Sequence, residues 1–65
     1  MMIKTFKVCE SRDSPNGDST FNTWKEAFVH GVNTMQYQIA EFHDGVFAMW
    51  HEIPYQFRMD RDVMA

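Results

Sequence analysis

The sequence predicts a small α+β domain of β-α-β-β order: one short helix packed on a three-stranded, mainly antiparallel sheet, with a short fourth edge strand as an option. Three observations carry this. Apolar and polar residues alternate over 2–9, the period of a half-buried strand. Trp24, Ala27, Phe28, Gly31 and Met35 recur at helical spacing behind a Thr-x-x-Glu pattern. Asp44-Gly45 separates two further alternating runs within 35–53, a strong hairpin signal, because both central residues of a type I′ turn need positive φ.

In the first strand Met2, Lys4, Phe6 and Val8 share one side, and Ile3, Thr5, Lys7 and Cys9 the other. Phe6 and Val8 are expected in the core. Residues 10–20 are polar and rich in turn formers, so they read as a surface loop. Asn16-Gly17 is itself a turn signal and leaves room for a short return strand at 19–21. The Asp13, Asn16, Asp18 spacing does not fit a calcium loop, because Pro15 and Gly17 stand where ligands belong.

Thr23 is the expected N-cap of the helix, with Glu26 reaching back to it. Gly31 is a natural C′ residue and places the helix end after two to three turns. A two-residue turn at Asp44-Gly45 pairs Phe42 with Phe47, Ala40 with Met49, and Gln38 with His51, and this face is expected to meet the helix. The opposite face then holds Tyr37, Ile39, Glu41 and His43 from one strand, with Val46, Ala48, Trp50 and Glu52 from the other. Ile39 would lie across from Trp50. After Pro54, the alternation of Tyr55, Phe57 and Met59 suits a short edge strand. One domain over residues 1–59 is expected, with 60–65 as a flexible tail. The first strand is expected antiparallel beside the strand at 46–53; a crossover helix would instead put it parallel beside the strand before the turn.

Composition narrows the function classes. A chain of 65 residues with a single cysteine cannot form an internal disulfide and has a small core to live on. The lone Cys9 and the absence of an apolar leader or membrane-length run point to the cytoplasm. A net charge of −3 argues against direct nucleic-acid binding, which rests on cationic contacts. Cys9 with His43 or His51 is the one nucleophile–base combination, and buried structural cysteine is the commoner role. Cys9, His30, His43 and His51 lack metal-ligand spacing, and His43 and His51 are expected on opposite faces of the hairpin. Glu41 and Glu52 are not placed as an acid–base pair. No catalytic residue, metal site or cofactor is therefore expected.

One helix covers one sheet face. The other, with Ile3, Tyr37, Ile39, Glu41, Trp50 and Glu52, is the expected partner-binding surface, since contiguous apolar patches mark interfaces and Tyr and Trp are enriched at hot spots. The expected function is a non-enzymatic protein-interaction module. Its size, acidity and lack of catalytic motifs suit phage and mobile-element accessory proteins of the anti-CRISPR kind, which sterically block a host protein or nucleoprotein complex. Glu10, Asp13, Asp18, Glu41, Asp44 and Glu52 would meet a basic groove on such a target. A second copy forming a homodimer is an alternative occupant. The rival functions are a nucleic-acid-binding regulator using Tyr37, Trp50, Lys4, Lys7 and Arg58, and a small subunit or antitoxin of one cognate protein.

Overall fold

The computed structural model describes residues 1–15 and 19–58. The expectations for Asn16, Gly17, Asp18, Met59 and the 60–65 tail lie outside the described residues. The chain forms β1 (Lys4–Cys9), β2 (Thr20–Phe21), α1 (Trp24–Thr34), β3 (Gln38–His43) and β4 (Val46–Glu52). The four strands make one antiparallel sheet in the order β2-β1-β3-β4. This is the α+β class, with the fourth strand supplied by residues 20–21.

The strand order corrects both expected arrangements. β1 lies antiparallel beside β3, not beside β4. The physical reason is β2. The chain reverses after β1 and pairs Phe6 with Phe21 before the helix begins. The helix therefore starts from the edge of the sheet, crosses over β1 and returns as β3 on its far side.

Thr23 is the N-cap of α1, as expected, but Glu26 reaches back to its hydroxyl, where the capping-box pattern would have it take the backbone N–H. Its Oγ1 accepts the Glu26 N–H at 3.2 Å, and its hydroxyl donates to Glu26 Oε1 at 2.8 Å. Gly31 does not end the helix, which runs one turn further to a C-cap at Met35 in the left-handed region, φ 58°. The Gln36 N–H closes the end by donating to the Gly31 carbonyl at 2.9 Å. Gly31 is needed for closeness: a Cβ there would stand 2.6 Å from the Gln36 carbonyl oxygen and 2.7 Å from Ile53 Cδ1.

The core lies between α1 and the sheet and consists of Phe6, Val8, Ala27, Ile39 and Ile53. Phe21, Phe28, Val32 and Tyr37 pack around it. Ile39 and Ile53 are the largest fully buried side chains. Each contributes on the order of 1.5–3 kcal/mol by leaving water. The edge strand expected at Tyr55, Phe57 and Met59 is replaced over Tyr55–Phe57 by one 3-10 turn. Phe57 leaves the sheet edge there to pack its ring on Phe28, centroids 5.4 Å apart.

Candidate functional site

The hairpin between β3 and β4 decides which side chains each sheet face presents. The turn is the expected one. Asp44 and Gly45 both have positive φ, 52° and 84°, and Phe42 pairs with Phe47. One step later the register slips: Glu41 pairs with Met49 and Ala40 with Trp50. Ala48 is the extra residue of a β-bulge. From Met49 onward every β4 side chain points to the face opposite the one an unbroken ladder would give it.

The face assignment from sequence is therefore inverted. The helix covers the side of Tyr37, Ile39, Glu41 and His43, together with Phe6 and Val8 of β1. It packs mainly on β1, β2 and β3, and reaches β4 through the ring of Trp24 on His51. The open side carries Lys7, Ala40, Phe42, Phe47 and Trp50. Of the residues expected at the interface, Ile39 is fully buried and Glu41 is 7 % exposed under the helix side. Tyr37 is half-buried, with the Arg58 guanidinium 4.9 Å above its ring. Trp50 and Glu52 do lie on the open side, and Ile3 is exposed just before β1.

Phe42, Phe47 and Trp50 form a continuous aromatic row on the open face. Their centroids are 5.9 Å and 5.4 Å apart, in edge-to-face and tilted contact. The Lys7 ammonium lies 5.2 Å from the Phe42 centroid, which the ring's negative face favours. Phe47 is 38 % exposed, while Phe42 and Trp50, each in contact with its ring, are half-buried. A polar border adjoins this row. Arg12 Nε donates to Gln38 Oε1 at 2.6 Å, Gln38 Nε2 donates to Glu52 Oε1 at 2.9 Å, and Arg58 pairs with Glu52 at 3.1 Å. The bond from Gln38 leads the causes that hold the Glu52 carboxyl below the usual range. The turn announces the pairing of Phe42 with Phe47; the contact of Phe47 with Trp50, three residues on, is what sequence alternation missed. An alanine bulge leaves no local signal of itself.

The covered face holds the second cluster. Glu41 is buried between two half-exposed imidazoles: His51 Nε2 donates to its Oε1 at 2.7 Å, and His43 Nε2 donates to its Oε2. The expectation that His43 and His51 lie on opposite faces is corrected by the Ala48 bulge, which turns His51 to the helix side. There its ring meets Trp24 edge-on, centroids 5.0 Å apart. The bonds from His43 and then His51 hold the Glu41 carboxyl below its ordinary range, and they outweigh the opposing effect of burial. An ionised carboxylate only accepts, so each ring carries a proton on Nε2.

A histidine held by a carboxylate is a base with its orienting group, but catalysis also needs a nucleophile or substrate pocket beside it. Cys9, the nucleophile the sequence offers, pairs with Gln38 and belongs to the opposite face. Among the described residues no three His, Cys, Asp or Glu side chains are placed to hold a metal ion. No described helix is long and apolar enough to cross a membrane. Glu41 thus satisfies the two imidazoles and closes the seam between β3 and β4. Among the described residues, the aromatic row on the other face is the apolar surface that the helix does not cover. No protein-family model, curated protein or solved structure matches the chain, so the geometry of this face carries the functional reading alone.

Proposed function

We propose that this chain is a non-enzymatic protein-interaction module that docks a protein partner on the open face of its sheet. The observation that supports this is the row of Phe42, Phe47 and Trp50, left uncovered by the helix and bordered by Lys7 and a polar rim. An aromatic centre with a hydrogen-bonding margin is the composition of a binding hot spot. The rings pack on one another edge-to-face, so they offer a shaped apolar surface. They do not form a set of parallel platforms for stacked bases.

Acting without catalysis, such a module works by occupying a surface its partner needs. A cytoplasmic steric inhibitor of a host nucleic-acid-handling complex, as phage and mobile-element accessory proteins are, is the case we put forward. The net charge of −3 supports a partner with a basic surface. Glu52 is the carboxylate that stands at the border of the row; Glu41 does not contribute, because its carboxylate is consumed by two histidines.

The test is affinity capture from lysate of the source cells, with and without nuclease, comparing wild type with the Phe47→Ser/Trp50→Ser double variant. A defined protein complex that survives nuclease and is lost with the double variant is the expected result. Both substituted rings lie outside the helix-side core, so the variant should keep its circular dichroism spectrum. Capture that disappears with nuclease would overturn the reading in favour of nucleic acid, for which Lys7 and Arg12 on this side supply the cations. Capture unaffected by the double variant would place the binding surface elsewhere.

A further inference from the structure

Two fixed points bracket β4. The Asp44-Gly45 turn sets Phe47 opposite Phe42. At the other end Ile53 is locked into the core, and its N–H donates to the Tyr37 carbonyl at 2.8 Å. Between these points β3 has four residues, 38–41, and β4 has five, 48–52. One residue of β4 must therefore be unpaired. Neither fixed point says which one.

The choice has consequences. An extra residue at 51 or 52 would continue the ladder from the turn, pair Trp50 with Ile39 and turn it to the helix side. His51 would then lie on the open face. An extra residue at Ala48 does the reverse. Trp50 burial beside Ile39 would be favourable in itself, since both are large and apolar. It does not occur. The group on the helix side that only the observed register satisfies is Glu41. Leaving one oxygen of a buried carboxylate without a donor costs free energy. His43 reaches Oε2 in either register, because it sits on β3 with Glu41. Among the described residues Oε1 is reached by His51, and only when the extra residue precedes it.

We infer that Glu41 sets the register of β4: by drawing His51 to the helix side it places the extra residue ahead of His51, and with that residue at Ala48, Trp50 turns onto the open face. Glu41 is thus a positioning residue for the docking surface, on the opposite side of the sheet from it. The consequence for binding rests on the function proposed above. The register itself does not, and it is measured without a partner.

The experiment is cross-strand nuclear Overhauser spectroscopy on four chains: wild type, Glu41→Gln, Glu41→Leu, and Glu41→Leu with Ala48 deleted. In wild type, Trp50 should show contacts with Ala40. Glu41→Gln keeps an acceptor for His51 and should keep those contacts. Glu41→Leu should replace them by contacts between Trp50 and Ile39. Deleting Ala48 equalises the two strands and leaves no residue to displace, so the double change should restore the Ala40–Trp50 pairing. A folded Glu41→Leu chain that retains Ala40–Trp50 pairing would overturn the inference. Should Glu41→Leu fail to fold, the double variant decides. Its recovery with Ala40–Trp50 pairing supports the register role. Its failure would mean that Glu41 serves stability alone, and the inference would fall. Loss of partner capture with the register intact would instead count against the proposed function only.

Discussion

Glu41 is the residue at which charge, burial and register meet. Its folded pKa lies below the ordinary value of 4.5, through the bonds from His43 and His51. A carboxyl whose pKa is depressed on folding contributes stability that is present above the unfolded value. That contribution is lost as pH falls through 4.5 toward the folded value. Wild type should therefore lose stability on acidification from about pH 5 to about pH 3 more steeply than Glu41→Gln, which has no carboxyl to protonate at this position. Urea unfolding across that range checks it. The other carboxylates, Glu52 included, are common to both chains and cancel in the difference. Equal slopes would mean that the two imidazoles do not favour the ionised carboxylate.

Among the elements, α1 shows a local preference yielding to packing. Alanine is the better helix former by about 1 kcal/mol, so Gly31→Ala would stabilise an isolated helix. Here a Cβ meets the Gln36 carbonyl at 2.6 Å and Ile53 Cδ1 at 2.7 Å. The carbonyl is backbone and belongs to the helix cap, so it cannot step aside cheaply. Gly31→Ala should lower stability by about 1–3 kcal/mol, the usual cost of overpacking, read as an earlier urea midpoint. An unchanged or later midpoint would mean the cap yields.

The same element-scale contrast explains what sequence alone could supply. The Thr23–Glu26 cap and the Asp44-Gly45 turn are local chemistry, so their residues announce them. The helix end is different. Gly31 looks like a stop signal, but its job is to admit Ile53 from 22 positions away. β4 is the extreme case: the turn announces one register, and Ile53 with Glu41 imposes another beyond Ala48. That is why Trp50 lies half-buried on the face away from the helix while Tyr37, Ile39 and Glu41, expected beside it, lie on the covered one. Phe42 and Phe47, read as core, are the companions it has.

For the whole molecule, the relevant balance is between a small core and a large open face. Among the described residues the large side chains that are fully buried are Ile39 and Ile53. A chain of this size has little stability to spare. Docking through an apolar row should depend weakly on salt. The dissociation constant for the captured partner should change by less than about tenfold between ~50 and ~200 mM salt, whereas phosphate-driven binding weakens by about 10³–10⁵-fold. Titration of the purified complex at the two ionic strengths separates these cases. The larger dependence would point to the Lys7 and Arg12 side of the face and to nucleic acid.

The bulge at Ala48 has one more effect, on the protein's behaviour in a crowded solution. A sheet ends in two rows of backbone groups able to recruit further strands, and uncontrolled recruitment leads to aggregates. At one end of this sheet β2 is two residues long, too short to template much. At the other end β4 is long and bears exposed Val46, Phe47 and Met49, the profile of a sticky border. The extra alanine breaks the regular spacing of donors and acceptors along that border and adds local twist, so an incoming strand cannot continue the ladder past it. The chain can thus leave aromatic rings open to the partner proposed above while denying its neighbours an even edge on which to polymerise.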